Sequence, residues 1–384
     1  MYDVIVAGAG PAGSAAAAAL SKAGRRVLLI DRSRFPRDKT CGDAIQAGAL
    51  ALLHDLGYRG SIDPTLFTPV ANWMIQAPSQ ASVSANLHFY KGEHAPYIAR
   101  RLNFDNLVYQ QAIANGAEFC QAQVIAPLYD DNKVVGLVAK PDGSKENMKF
   151  RAPIVIAADG ATSVIARDVR KIRDEDNHWA IAIRCYVTMR EDLKHRCEFY
   201  FPKSILPGYA WIFPSGERGA NIGVGIRLDK YRQRNVSLRE LLERFLDDLG
   251  DRVDRASLSE IKSWQLPLGS HRESRAFDGC MLVGDAGSFV DPLLGAGMFF
   301  GMKTGTLAAQ VADAALYDGD TSQRRLSEFD RLWKPAIGWP LRRATLVQKI
   351  IIEQPWLLNS VVGVAALNKE LGRCLVMALS GEKI

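Results

Sequence analysis

The residues of this chain best suited to chemistry fall into three glycine-and-acid groups in a fixed order: Gly8-Ala9-Gly10-Pro11-Ala12-Gly13, then Ala158-Asp159-Gly160, then Gly284-Asp285-Ala286 followed by Pro292 and Gly295-Ala296-Gly297. Glycines at the first spacing let a backbone turn tightly and come close to a pyrophosphate, while the helix behind them offers free N–H groups. Carboxylates beside such turns accept hydrogen bonds from sugar hydroxyls. The chemistry implied is the holding of a dinucleotide. Two further groups stand out. In Lys39-Thr40-Cys41-Gly42 the neighbouring ammonium is expected to lower the Cys41 thiol pKa. Tyr209, Trp211 and Phe213 share one face of a strand at period two. By default Cys41 is a small buried apolar residue and the aromatic row is core.

The elements that must position these residues follow from pattern. Residues 3–7 are a short β-branched apolar run, read as a buried parallel strand leading into the glycines. A small-residued helix follows, with Pro11 in its first turn and Gly24 as its expected C-terminal stop. A second strand, 26–30, delivers Asp31 and the adjoining Arg32 to its end, where an acid reaches a ribose 2′-hydroxyl and disfavours a 2′-phosphate. The strand 154–158 carries Asp159 and Gly160 and turns into a helix containing Arg167, although Asp-Gly alone is also a common turn. The strand 280–283 places Asp285 at its tip. Gly295-Ala296-Gly297 then opens an apolar helix expected to run to about Leu316. An acid and a second helix start suited to the far side of one adenine dinucleotide point to a flavin dinucleotide, FAD.

With these residues in place the chain resembles the aromatic-hydroxylase-type FAD superfamily. Lys39-Thr40-Cys41-Gly42, Arg101-Leu102-Asn103-Phe104-Asp105-Asn106-Leu107 at a helix start, and Tyr209-Ala210-Trp211-Ile212-Phe213-Pro214 are similar to the geranylgeranyl reductase family within it. The likeness spans residues 2 to about 340. It implies a reduced flavin that saturates carbon–carbon double bonds of isoprenoid chains, with electrons from NAD(P)H or a ferredoxin-like donor. It also implies FAD contacts at Gly8, Gly10, Gly13, Asp31, Arg101, Asp159 and Asp285. Pro11, Ala12, Arg32, Gly160, Gly284, Gly295, Ala296 and Gly297 complete the expected cofactor set. Cys41 and Gly42 are expected near the isoalloxazine, with Cys41 the catalytic candidate, and Tyr209, Trp211 and Phe213 are expected to face the substrate. Flavin halogenases of the superfamily carry a tryptophan-tryptophan-isoleucine-proline pattern; Tyr209 and Phe213 replace two of its positions, which discounts halogenation. The rival reading is an FAD-dependent monooxygenase, hydroxylating or epoxidising an apolar substrate, because one fold serves both. For the proton that alkene saturation needs, Cys41, Tyr209 and water are all candidates.

The expected fold is α/β: a Rossmann-like FAD-binding domain (1–69, 99–170 and 273–330) interleaved with an antiparallel-sheet substrate domain (70–98 and 171–272), then a C-terminal helical region (331–384). Residues 70–89 are expected to add strands to the substrate sheet. At 384 residues, 48% of them hydrophobic, the chain is long enough to bury a large core. A net charge of +6, from 48 basic and 42 acidic residues with no dense basic block, argues against nucleic-acid binding. Six cysteines without CxxC pairing or zinc-ligand spacing suit a reducing cytoplasm and imply no metal. No signal-type segment precedes the first strand, so a cytoplasmic place is expected. Near the end, Arg324, Arg325, Arg331, Lys334, Arg342 and Arg343 precede an apolar run containing Trp356. Such a cap either rests on a membrane surface, admitting a lipid, or packs on the FAD domain.

Overall fold

The computed structural model describes residues 2–86, 96–171, 175–270 and 273–380. The first sheet has eight strands, in the order Met148–Arg151, Lys133–Pro141, Glu118–Asp130, Val27–Asp31, Val4–Ala7, Ile154–Ala157, Cys280–Leu282 and Ala276–Phe277. The middle five, Glu118–Asp130 to Cys280–Leu282, run parallel. Val4–Ala7 and Ile154–Ala157 are fully buried on both faces, as their unbroken apolar runs require of central parallel strands. All three glycine-and-acid groups therefore leave the same edge of this sheet, the carboxyl ends of adjacent strands, where open α/β sheets bind ligands.

Two helices cover one face. Pro11–Lys22 and Met298–Asp318 pack against each other through glycines: a Cβ on Gly305 would stand 2.2 Å from the Ala12 carbonyl oxygen, and one on Gly301 would stand 3.3 Å from the Ala12 Cβ. Gly24 has φ +83° just beyond the first helix, the left-handed stop that its sequence position suggests.

A second sheet has seven strands, in the order Val253–Pro267, Trp179–Met189, Gly219–Arg227, Tyr209–Ser215, Arg196–Tyr200, Asn72–Gln76 and Ser82–Asn86. It is antiparallel except where Arg196–Tyr200 runs beside Asn72–Gln76. Residues 72–86 thus join the sheet of the later strands; residues 87–89 lie outside the described residues. The helix Leu238–Leu249 covers the outer face, its N-terminus capped by Ser237 Oγ accepting from the Glu240 N–H.

The chain after Leu326 continues as helices. Leu326, Phe329, Trp333, Ile337 and Leu341 join the core under the first sheet, whereas Ile352, Leu358, Val362 and Ala365 share a core with Trp73, Phe199, Trp211 and Phe213 of the second. The cap thus packs on the first domain through its earlier half, and its later half covers the second sheet, because its inward apolar residues meet the apolar end of that sheet. Among the described residues no single helix is long and apolar enough to cross a membrane, and the limbs Gln323–Ile352 and Pro355–Leu367 meet at 101°.

Candidate active site

One cavity of about 520 Å³ runs from the carboxyl edge of the first sheet to the inner face of the second. Every site residue expected from sequence lines it except Gly13. Packing accounts for the exception: a Cβ on Gly13 would lie 1.8 Å from the Gly8 carbonyl oxygen, so Gly13 brings helix and strand together. Gly8 sits at φ +95°, and a Cβ there would lie 2.3 Å from the Ala158 carbonyl oxygen. A Cβ on Gly10 would meet only the Arg37 guanidinium among the described residues, at 3.4 Å, so its backbone is open to the cavity. The helix behind it has no side-chain cap, so its first N–H groups are free for an anion.

The acids differ in their state. Asp31 accepts the Ala9 N–H through Oδ2 and the Ser33 N–H through Oδ1, both at 2.8 Å, which holds the carboxylate at the strand end with lone pairs to spare. Asp159 accepts from Ser163 Oγ at 2.5 Å and the Val164 N–H at 3.1 Å, so it staples its own turn while it lines the cavity; burial raises its pKa. Asp285 is different. Burial pushes its pKa up, but the Lys39 ammonium, 2.9 Å away, outweighs burial and holds it below the ordinary value. The dinucleotide set fits FAD on this donor chemistry: a free helix N-terminus, glycines with no room for a Cβ, and carboxylates at the ends of the carrying strands.

Lys39 is therefore engaged by Asp285 and is not the cation at Cys41. The group facing the Cys41 sulfur is the buried Arg101, itself held by Asp105 through Nε at 2.6 Å and Nη2 at 2.8 Å. Burial wins over that cation and pushes the thiol pKa up, which overturns the expectation of a lowered one. Arg37 adds a second cation on Asp105, at 2.7 Å.

The far wall of the cavity is the second sheet read in cross-strand rows. One row is Trp264, Ala182, Gly225 and Tyr209; the next is Lys262, Arg184, Gly223, Trp211 and Phe199; the third brings Phe213 to the cavity, with Tyr186 and Asn221 of the same row set behind the lining. The rows divide into an aromatic half and a charged half, with glycines between. Phe199 lies 5.5 Å from Tyr209 and 5.2 Å from Phe213 by ring centroid, and Trp73 stacks on Phe199 at 4.8 Å. Tyr209, Trp211 and Phe213 are at once core and lining, because the core there closes around the cavity. The Tyr209 hydroxyl donates to the Leu294 carbonyl oxygen, so its proton is already engaged.

Sequence reasoning missed Asp43, Trp73, Arg184, Tyr186, Phe199 and Asn221. One signal was legible: Asn221 interrupts an apolar strand with a polar residue on the face of Gly223 and Gly225, and a buried amide needs partners. The others required the strand pairing.

An open parallel sheet bearing these three motifs, backed by an antiparallel sheet across a shared cavity, defines an FAD-dependent oxidoreductase of the aromatic-hydroxylase type. A family model described as an FAD binding domain matches residues 1–337. The chain is 32% identical to digeranylgeranylglycerophospholipid reductase 2 of Methanopyrus kandleri, over 92% of this chain and 87% of that protein. It is 33% identical to menaquinone reductase of Mycobacterium tuberculosis, over 81% of this chain and 76% of that one. Its fold matches a geranylgeranyl bacteriochlorophyll reductase-like protein of Thermoplasma acidophilum with a TM-score of 0.87 at 23% identity, covering 98% and 96% of the two chains. The chain belongs to the geranylgeranyl reductase family of FAD-dependent oxidoreductases.

Proposed function

We propose that this protein saturates carbon–carbon double bonds in the isoprenoid chain of a prenylated lipid, with FAD held at Gly8, Gly10, Asp31, Asp159 and Asp285. The observation that carries the reading is the continuity of one cavity from the glycine motifs past Cys41 and Gly42 to the aromatic wall of Tyr209, Trp211, Phe213 and Phe199. Bound FAD, reduced by a nicotinamide or a ferredoxin-like donor, supplies the hydride. The remaining work belongs to the chain. The aromatic wall takes up an apolar chain and excludes water, and Gly225 and Ala182 leave the slot through which that chain lies. Arg101 keeps Cys41 and its turn in place, and Cys41, a thiol at neutral pH, is a group with a proton to give. The named relatives agree in substrate class, since menaquinone and digeranylgeranylglycerophospholipids both carry isoprenoid chains.

A membrane contact belongs to the same reading. The cap turns Ile352, Leu358 and Val362 inward beside Trp73 and Trp211. Outward it exposes Trp339 (67%), Leu346 (53%), Ile350 (56%) and Trp356 (66%), with Arg342, Arg343 and Lys349 along the same helices. An interfacial surface has this pairing of tryptophan, aliphatic and basic residues.

The test is anaerobic. Dithionite-reduced holoenzyme given a geranylgeranyl-bearing lipid should return products heavier by two hydrogens per reduced bond. An oxygenated product formed only in air, with no saturation without it, would overturn the reading in favour of a monooxygenase.

A further inference from the structure

The two halves of the molecule meet closely at the cavity wall. A Cβ on Gly42 would stand 3.2 Å from Phe213 Cε2 and 3.4 Å from Trp211 Nε1, so the Cys41–Gly42 turn rests directly on the aromatic wall. Directly behind it Asn221, wholly buried, binds both sides at once. Its Nδ2 donates to the Cys41 carbonyl oxygen at 2.8 Å and to Asp43 Oδ2 at 2.9 Å, and its Oδ1 accepts from Trp211 Nε1 at 3.0 Å. Both amide hydrogens are used, so the side chain has one orientation.

Asp43 is the other half of the knot. It is 1% exposed and sits in the left-handed region at φ +66°, a conformation non-glycine residues keep only when their surroundings hold them there. Oδ2 also accepts from the Tyr186 hydroxyl at 2.5 Å, while Oδ1 is buried without a partner among the described residues. The Arg184 and Arg100 guanidinium groups stand over the Tyr186 ring at 4.4 and 4.5 Å. The groups facing Asp43 are thus Tyr186, Asn221, Arg184 and Arg101, with Cys41 receiving the Asp43 backbone N–H.

We propose that Asp43 and Asn221 are positioning residues: one hydrogen-bonded cluster clamps the Cys41–Gly42 turn to Trp211, and the charge on Asp43 sets how firmly the clamp holds. The inference rests on the reading that this turn lies beside the flavin. In the ionised form Oδ2 accepts two hydrogen bonds strongly; in the neutral form both weaken, and Asn221 loses the anchor that orients it toward Cys41 and Trp211. Neither residue touches the cavity, so neither is catalytic. Burial raises the carboxyl to about 6, against the lowering pull of Tyr186, Asn221 and the two arginines, which puts the change of clamp in a physiological range.

The test needs no substrate, so its outcome stands apart from that of the alkene assay. The absorption spectrum of the holoenzyme, titrated from pH 5 to 8, should show a flavin transition near pH 6. Asp43→Asn should abolish it with FAD retained. Tyr186→Phe removes only one donor to the ionised carboxylate, so the transition should move to higher pH. Asn221→Ala should move it the same way, with FAD content kept. A transition that survives in Asp43→Asn, a wild type with none, or a Tyr186→Phe titration identical to the wild type would overturn the proposal.

Discussion

Lys39 Nζ and Asp285 Oδ2 lie 2.9 Å apart although 246 residues separate them in the chain. The contact ties the segment after the second strand to the tip of the strand Cys280–Leu282, closing the cavity from two sides. It also decides the charge of the site, because a buried carboxylate is kept ionised there by a cation from a distant part of the sequence.

The first prediction concerns that pair. Asp285 has a folded pKa below its unfolded one, so its contribution to stability is present above the ordinary carboxylate range and is lost as pH falls through the folded value. Urea midpoints of the wild type should drop on acidification across that window. Lys39→Met leaves the carboxylate to burial, and this component of the slope should change sign. An unchanged pH profile in Lys39→Met would show the pair to be idle. Asp285→Ala should weaken FAD binding by about 1–3 kcal/mol, as measured by flavin release.

Backbone closeness predicts a second outcome. Gly13→Ala places a Cβ against the Gly8 carbonyl oxygen, and backbone cannot step aside. The cost should be about 1–3 kcal/mol or more in thermal or urea unfolding, with loss of bound flavin. Gly116→Ala, a glycine with φ +104° and nothing within 4 Å, should carry only its conformational strain and keep FAD.

The thiols should separate by reactivity. Cys41 has a pKa raised by burial and Cys374 is exposed, so iodoacetamide at neutral pH should label Cys374 first. Cys41→Ser should keep FAD and folding yet change turnover or the flavin spectrum, whereas Cys374→Ser should do neither. Equal behaviour of the two serine variants would reduce Cys41 to a packing residue.

A last prediction addresses the cap. Replacing both Trp339 and Trp356 by alanine should lower the fraction of protein that sediments with anionic phosphatidylglycerol vesicles by at least about tenfold, the ratio that about 1.4 kcal/mol produces. Added salt should weaken the wild-type binding, because Arg342, Arg343 and Lys349 act through screened charge. Vesicle binding unaltered in the double variant would remove the membrane from the proposed function.

The cofactor motifs and the elements that carry them are legible in the amino-acid order alone. A buried parallel strand, a glycine turn and a helix start are local: period, glycine spacing and Pro11 specify them within a few residues, and the helix Pro11–Lys22 follows. The aromatic row at Tyr209, Trp211 and Phe213 was equally legible, since period two puts three rings on one face. Which charges meet is settled by long-range packing. Lys39 stands two residues from Cys41 and yet pairs with Asp285, while Arg101 supplies the cation at the sulfur. Asp43, Tyr186 and Asn221 come from three separate segments and become one cluster through the register of the second sheet. Such partnerships depend on long-range packing and on the desolvation it imposes, and local sequence carries neither.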